Sequence, residues 1–425
     1  MKKIFLLSGL ILLTTVVNAQ LLKKLGDRAK NKMEQKAGEK VDKSIDDATS
    51  GKAKTESKSE TNPQEAKEEE TSTGDKAQPA KTEALKAYSK YDFVQGEKVI
   101  AYEDFSNTAV GDFPTRWNTN GSAEMVTLNQ KEGKWFRMNN KGFYLPEFIT
   151  SIPENSTLEF DLGVNNDFDW GNGYFNLYIT DLEDRDLFTN NWSTHTIHFK
   201  FHPLTGANYT GGVSFFTERG KANLHNDANA KNWDNKKNLF AHVSIWRQGQ
   251  RIRMYVNGDK LFDVPRAFLA DQKYSAIIFQ SENIRDGRED YYLLGNIRLA
   301  EGAPDTRSKL ITEGRFVTSG ITFDVNSDVI KPESYGVLRE IAAALTENPT
   351  VKVRIIGHTD SDGNADKNTE LSKRRAAAVK NALSSDFSID ASRLETDGLG
   401  ATKPVADNKT IEGKAQNRRV EFVKL

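Results

Sequence analysis

The sequence contains no cysteine among its 425 residues. Without cysteine there are no disulfide bonds, so the cores of an exported protein of this sequence have to be stable through packing alone. The absence also removes the residue that carries the lipid of a bacterial lipoprotein. The formal net charge is only −1, so the chain lacks the basic field typical of nucleic-acid-binding proteins, and no nucleic-acid partner is expected.

Long hydrophobic runs are also scarce. The apolar run from Ile4 to Val17 follows Lys2 and Lys3 and precedes Ala19, which is the pattern of a secretory signal peptide at residues 1–19. The run is too short for a comfortable transmembrane helix. We therefore expect an exported protein without an integral membrane span once the signal is removed.

Two further N-terminal segments differ sharply in composition. Residues 20–48 place apolar side chains at steps of three or four, which predicts an amphipathic helix. Such a helix fits a membrane surface, a partner helix or solvent, and the sequence leaves the choice open. Residues 49–86 are rich in Lys, Glu, Ser and Thr and poor in large apolar residues, so they are expected to form a disordered linker.

Residues 88–303 are rich in aromatic residues, Asn and Gly and contain segments in which apolar and polar residues alternate. The clearest are 158–162, 175–179, 197–201 and 252–256. Period-two alternation is typical of strands with one buried face, and Asn257-Gly258 is typical of a type I′ hairpin turn. The pattern predicts an antiparallel β-sandwich.

The stretch from His242 to Val264 resembles the late strands of laminin-G and concanavalin-like jelly rolls. This resemblance implies an all-β jelly-roll sandwich that binds glycans or proteins or hydrolyses β-glucans. Glucanases of this fold carry Glu-x-Asp-x-x-Glu, but here Glu159 and Asp161 are followed by Val164 at the second Glu position, so no catalytic residues are expected. A glycan and an envelope protein both remain open as partners, as does calcium binding.

Three aromatic residues of the sandwich lie in Asn- and Gly-rich surroundings, namely Trp170, Tyr174 and Trp192. They could stack on sugar rings or belong to the core, and the second interpretation is the more frequent for aromatics in sandwiches.

Residues 311–425 alternate between strand and helix patterns, which predicts a compact α/β domain. The predicted elements are a strand at 320–325, a helix from Pro332 to Leu345, a strand at 351–355, a helix at 371–383 with Asn368 or Thr369 as its N-cap, and a final strand at 419–425.

The segment between the second strand and the second helix concentrates polar residues. Asp360, Asp362 and Asn364 have the one-three-five spacing of a calcium loop, but Ala365 and Leu371 occupy the positions that need Gly and Glu. His358 and Thr359 are neighbours on a strand and point to opposite faces, so they do not form an acid–base pair. No metal and no cofactor are expected.

A charged-ligand clamp is the remaining interpretation. Arg375 shares a helix face with Leu371 and Val379, so its guanidinium needs an anion there. Asp360 lies just before that helix. A carboxylate and a guanidinium at such a place can hold the ammonium and the carboxylate of a zwitterion. The alternative is that Asp360 and Arg375 merely pair with each other.

Three stretches resemble the OmpA-like C-terminal domain: "ITFDVNSDVIKPES" (321–334), "GHTDSDGNADKNTELSKRRAAAV" (357–379) and "SRLETDGLGATKPVADNKTIEGKAQNRRVEF" (392–422). The resemblance implies a βαβαβ domain that binds meso-diaminopimelate of the peptidoglycan stem peptide. It places Asp360 and Arg375 on the family's ligand-gripping residues. The further ligand-site residues that it implies are Asp324, Asn326, Thr359, Asn368, Leu371, Arg418 and Arg419.

These observations predict a non-enzymatic protein of the periplasm that binds peptidoglycan non-covalently. Its C-terminal domain would anchor a β-sandwich interaction module to the cell wall and support the integrity of the outer membrane and envelope. The alternative is a hydrolase of the cell wall or of glycans for which the OmpA-like domain is only the anchor. The sandwich ligand, the oligomeric state and a peripheral contact with the outer membrane are not determined by the sequence.

Overall fold

The computed structural model describes residues 92–190, 195–205, 210–218, 223–302 and 308–425. The predicted signal peptide (1–19), amphipathic segment (20–48) and linker (49–86) lie outside these residues, as does Trp192. The described residues from Asp92 onward belong to one compact unit.

The first part of this unit is built from antiparallel strands. In chain order they are β1 (Lys98–Glu103), β2 (Trp117–Thr119), β3 (Ala123–Thr127), β4 (Lys134–Met138), β5 (Gly142–Pro146), β6 (Asn155–Val164), β7 (Phe175–Thr180), β8 (Thr196–Thr205), β9 (Thr210–Glu218), β10 (His225–Ala230), β11 (Phe240–Gln248), β12 (Arg251–Val256), β13 (Asp259–Val264), β14 (Ala276–Ser281) and β15 (Tyr292–Glu301). A short 3₁₀ helix spans Arg185–Leu187.

The strands form two sheets. One has eight strands in the order β13-β12-β11-β6-β15-β4-β3, with β1 also paired to β15, and the other has seven in the order β10-β9-β8-β7-β14-β5-β2. The inward side chains of both sheets form one large apolar core. The sandwich predicted from the alternating segments is thus confirmed in its sheet content.

Local patterns placed several of these elements correctly. The four alternating segments lie within β6, β7, β8 and β12. Asn257 and Gly258 connect β12 to β13 with positive φ angles of 48° and 86°, as a type I′ turn requires. Strand register and hairpin turns are set by neighbouring residues, so the sequence carries this information locally.

The alternating pattern predicts one buried face for β6, but its polar face is buried as well. Glu159 is only 2% exposed. Its carboxylate accepts a hydrogen bond from Nη1 of Arg298 (3.0 Å), and Nη2 of Arg298 also donates to the hydroxyl of Ser319 (2.9 Å). Ser319 belongs to the C-terminal part, which therefore covers this side of the eight-stranded sheet.

The second part contains β16 (Arg315–Thr318), α1 (Tyr335–Glu347), β17 (Val353–His358), α2 (Ala365–Ser385), β18 (Leu394–Gly400), α3 (Ile411–Asn417) and β19 (Val420–Lys424). A π-helical turn spans Ser308–Thr312, and 3₁₀ turns span Pro332–Ser334 and Ala391–Arg393. The sheet order is β16-β19-β17-β18, and β17 and β18 run parallel. None of the helices in the described residues has the length and apolar character needed to cross a bilayer.

Two element boundaries were predicted wrongly. The strand expected at 320–325 is instead β16 at Arg315–Thr318, and the following segment is a loop in which Phe323 and Ile330 form an isolated β-bridge. Asn326 turns this loop with a φ of 53°. Helix α2 starts at Ala365, earlier than expected, because the side chain of Asn364 accepts hydrogen bonds from the next turn and caps the helix.

A second apolar core joins the two parts. Phe93, Trp246 and Tyr255 of the first part cluster with buried residues of the α/β part such as Leu310 and Phe316. The Phe93 ring lies 6.2 Å from that of Trp246 and 5.5 Å from that of Tyr255. Because these side chains fill a common core, the junction is packed rather than loosely tethered.

Candidate ligand-binding site

The candidate site lies where β17 ends and α2 begins. Backbone hydrogen bonds fix this point, because His358 donates its N–H to the carbonyl of Arg419 and Thr359 donates to that of Gly400, each over 3.0 Å. Helix α2 crosses the strand closely: a Cβ at Gly357 would lie 2.2 Å from the carbonyl oxygen of Ser372. Only glycine permits this approach, which sets the distance between the strand end and the helix.

Asp360 pairs with an arginine that sequence spacing did not single out as its partner. Its Oδ2 accepts a hydrogen bond from Nη1 of Arg418 over 2.6 Å, and its Oδ1 accepts one from the backbone N–H of Asp362 over 3.1 Å. The Asp360 carboxylate is 12% exposed. A charge-assisted bond of this length holds the carboxylate in a fixed orientation at the edge of the site.

Arg375 contacts carbonyl groups and a ring. Its Nε donates to the carbonyl of Ser327 (2.9 Å) and its Nη2 to that of Asp324 (3.3 Å). The guanidinium carbon lies 4.9 Å from the centroid of the Phe323 ring. No carboxylate within the described ranges forms a salt bridge with Arg375, and Nη1 makes no hydrogen bond to any of those residues.

Charges of both signs lie near Arg375. Burial lowers its pKa to about 10, with the charges of Arg418 and Arg374 acting in the same direction. The carboxylates of Asp360 and Asp328 oppose this change but do not cancel it. The arrangement favours a ligand that brings a carboxylate of its own to Arg375.

The position of Arg375 on its helix corrects the sequence interpretation. The buried stripe of α2 consists of Ser372, Ala376, Val379, Ala382 and Leu383. Leu371 and Arg375 are half-buried at the edge of that stripe. The expected alternative, in which Asp360 and Arg375 pair with each other, is not what the structure shows, because the salt bridge of Asp360 is with Arg418.

Two of the predicted residues hold the loop. The side-chain amide of Asn368 donates to the carbonyls of Asp362 (2.8 Å) and Asp360 (3.4 Å). Thr359 is 5% exposed, and its hydroxyl donates to the carbonyl of Asp360 (2.8 Å). Their hydrogen-bonding capacity is used within the loop, so they orient Asp360.

The remaining predicted residues divide into two groups. Asp324 and Asn326 lie in the exposed loop whose carbonyls receive Arg375. Arg419 is 4% exposed and donates to the carbonyls of Lys403 (2.8 Å) and Asn417 (3.3 Å). Successive side chains alternate in direction where the chain becomes extended at β19, so Arg418 reaches Asp360 while Arg419 does not.

Sequence reasoning missed two residues beside the loop. Lys414 forms a salt bridge of 2.8 Å with Asp362, and the side chain of Asn408 accepts the N–H of Ser361 over 3.2 Å. Both come from the segment before β19, about fifty residues away in sequence, so no periodicity could have connected them with the loop.

His358 gives the site region a testable pH dependence. Burial lowers its pKa to about 4, with the charge of Arg419 acting in the same direction and Glu421 opposing. An unfolded histidine titrates near 6.5, so the stability contributed by the neutral ring is fully present above about pH 6.5 and is lost as pH falls towards 4. Between pH 7 and pH 4.5 we expect the free energy of unfolding of the wild-type protein to fall by about 2–3 kcal/mol more than that of the His358→Gln variant.

Urea unfolding at both pH values measures this difference. His225→Gln is the control, because the His225 side chain is 56% exposed. Equal acid sensitivity of the wild-type protein and the His358→Gln variant would contradict the assignment.

The candidate residues of the sandwich behave differently from one another. Trp170 is 71% exposed and Tyr174 is 38% exposed, so neither belongs to the core as sandwich aromatics usually do. Glu159 is buried against Arg298 and Gln95. A carboxylate enclosed in this way cannot reach a substrate.

Across the described residues, no group of three or more His, Asp or Glu side chains is arranged to hold a metal ion.

Comparisons with known proteins identify the C-terminal part. The OmpA family model matches residues 322–418. The putative lipoprotein YfiB of Escherichia coli K12 is 38% identical over 107 residues, which are 25% of this chain and 67% of that protein. The chain belongs to the OmpA family. Its membership rests on the C-terminal α/β part, which contains β16 to β19 and is from here on termed the OmpA domain.

Two further similarities fall in the OmpA domain. The probable lipoprotein YiaD of Escherichia coli K12 is 48% identical over 104 residues, which are 24% of this chain and 47% of that relative, so the match spans about half of the relative's length. The chain is also similar to the crystal structure of the peptidoglycan-associated lipoprotein from Burkholderia pseudomallei, with a TM-score of 0.24 and 32% sequence identity. The match covers 25% of this chain and 88% of that one.

Proposed function

We propose that this protein binds peptidoglycan non-covalently through the diaminopimelate of the stem peptide. The observation that carries the proposal is the set of charges at the end of β17. Arg375 is desolvated there and forms no salt bridge with a carboxylate in the described part of the chain, and it lies near the Asp360 carboxylate that Arg418 holds in place. The free end of meso-diaminopimelate carries an ammonium and a carboxylate on one carbon, which complements this pair.

Each residue has a separate role in this proposal. The ligand carboxylate accepts hydrogen bonds from Nη1 of Arg375, whose Nε and Nη2 are already used on the loop carbonyls. The ligand ammonium donates to Asp360. Asn368 and Thr359 orient Asp360 through its loop, and Arg418 fixes the carboxylate and adds positive charge for the ligand carboxylate. Asp324, Asn326, Leu371 and Arg419 act as a supporting frame.

The remainder of the molecule fits an envelope protein. We propose export by the signal at residues 1–19 and location in the periplasm on the cell wall, where the anchoring supports envelope integrity. The domain boundaries that we propose are 88–303 for a concanavalin- or laminin-G-like jelly roll and 311–425 for an α/β OmpA domain, in which a third helix and a fourth strand extend the predicted βαβαβ pattern. Two antiparallel sheets in the former and an α/β sheet in the latter support them.

A hydrolase that uses the OmpA domain only as an anchor is less well supported. The carboxylate that such an enzyme would use, Glu159, is enclosed by Arg298 and Gln95. Exposed Trp170 and Tyr174 favour instead a binding role for the sandwich, with a glycan or an envelope protein as its partner.

The proposal is tested by sedimentation of the full chain with purified peptidoglycan. We expect retention on diaminopimelate-type sacculi and release by free meso-diaminopimelate. Lysine-type sacculi are the control, because lysine lacks the second carboxylate that Arg375 would bind. Equal retention on both wall types, or no release by the free amino acid, would assign binding to another part of the wall.

A further inference from the structure

Arg418 is contacted from two sides, and one of them belongs to the sandwich. Its Nη1 donates to Asp360 over 2.6 Å. Its guanidinium carbon lies 5.0 Å from the centroid of the Tyr102 ring, which is within the range of a cation–π contact. Tyr102 is a residue of β1. The guanidinium that fixes the clamp carboxylate is therefore itself held by a ring from another part of the chain.

The backbone that carries Tyr102 is firmly placed. Strand β1 pairs with β15 in antiparallel register, with Tyr102 opposite Arg298. Arg298 is 6% exposed and bonded to Glu159 and Ser319. The ring thus projects from a paired strand whose neighbour is anchored in the junction between the sandwich and the OmpA domain, so its position relative to Arg418 is fixed.

A second contact ties the same region of the OmpA domain to the sandwich. Helix α3 packs against β1, and Nη2 of Arg116 forms a salt bridge of 2.5 Å with Glu412 of that helix. Helix α3 ends at Asn417, directly before Arg418. The ion pair therefore fixes the position of helix α3 against the sandwich, and the Tyr102 ring fixes the side chain of Arg418 that follows the helix.

We propose that Tyr102 is a positioning residue of the ligand site, so that the sandwich contributes to ligand binding by the OmpA domain. An arginine side chain is long and loses rotamer freedom when it is fixed. The Tyr102 ring restricts Arg418 to the orientation in which it holds Asp360, so the clamp is arranged before the ligand arrives. This inference rests on the proposed function and adds a residue from outside the OmpA domain.

The test compares full-length variants for binding of a synthetic stem peptide that ends in meso-diaminopimelate, measured by calorimetry. Loss of a cation–π contact at a partly desolvated site corresponds to a weakening of about threefold to thirtyfold, which we expect for Tyr102→Leu. Tyr102→Phe keeps the ring and should stay within about twofold of wild type. Tyr291→Leu is the matched control, because Tyr291 makes a similar contact with Arg137 at 5.5 Å.

A double-variant cycle separates positioning from a general effect on the fold. If Tyr102 acts through Arg418, the double variant Tyr102→Leu/Arg418→Ala binds no more weakly than Arg418→Ala alone. Additive losses, unchanged binding by Tyr102→Leu, or tighter binding by it would each overturn the inference. If Tyr102→Leu does not fold, Arg116→Gln loosens the same helix at a partly exposed position, and a wild-type affinity there would overturn it.

The two proposals fail in different ways. Absence of stem-peptide binding by the wild-type protein would remove the proposed function. Binding that depends on Asp360 but is insensitive to Tyr102 and Arg116 would leave the function in place and remove the role of the sandwich.

Discussion

Replacing Asp360 by asparagine is expected to weaken binding to diaminopimelate-type peptidoglycan by about tenfold to a hundredfold. The amide keeps the shape of the side chain but loses the charge that holds the ligand ammonium. Arg375→Lys should cause a loss of the same size, because the compact ammonium lacks the planar fork with which Arg375 donates to the loop carbonyls of Asp324 and Ser327 while presenting Nη1 to a ligand carboxylate. Both are measured by sedimentation with purified sacculi.

The neighbouring residues provide matched controls. Arg374→Lys changes an exposed arginine that pairs with Glu370 one turn away. Asp362→Asn changes a carboxylate that is 63% exposed and pairs with Lys414. Neither control should alter binding by more than about threefold, since exposed pairs contribute little.

Thermal melts distinguish loss of binding from loss of folding, because Asp360→Asn also removes the partner of Arg418. Binding equal to wild type by a folded Asp360→Asn or Arg375→Ala protein would show that the ligand site lies elsewhere.

The second large effect is expected at the junction of the two parts. Glu159→Gln should lower the free energy of unfolding by about 3 kcal/mol or more, because it leaves the charge of Arg298 buried without its counter-ion. The side chains of Glu159 and Arg298 are 3% and 8% exposed. Urea denaturation measures the change.

The control for this prediction is Glu395→Gln. Glu395 pairs with Arg354 over 2.8 Å, but both side chains are about half exposed, at 55% and 46%. Its removal should cost less than about 1 kcal/mol. A similar small loss for Glu159→Gln would show that the junction is hydrated and does not depend on this ion pair.

The parts of the fold that could be predicted are those set by neighbouring residues. Leu158, Phe160 and Leu162 point into the sandwich core because strand geometry alone alternates them. The strand predicted at 320–325 was wrong because its alternating apolar residues belong to a loop, in which Asn326 adopts a positive φ. Alternation over so few residues does not distinguish a strand from a tight loop.

The candidate site was predictable only in part, for the same reason. Asp360 and Arg375 lie close together in sequence, and a helix period brings Arg375 towards the loop. The partner of Asp360 is 58 residues away, and Tyr102 reaches Arg418 from another sheet. Such contacts depend on how whole elements pack, which a single sequence does not encode in its spacing.

The shared core around Phe93, Trp246 and Tyr255 has a consequence for the order in which the chain is made. Every sandwich strand is complete by Glu301, whereas the partners Leu310 and Phe316 follow it in the chain. A product cut short at the end of β15 would display these aromatic rings beside the buried charges of Glu159 and Arg298. Such a surface is prone to aggregation. The OmpA domain thus covers apolar and charged side chains of the sandwich that would otherwise be exposed to solvent.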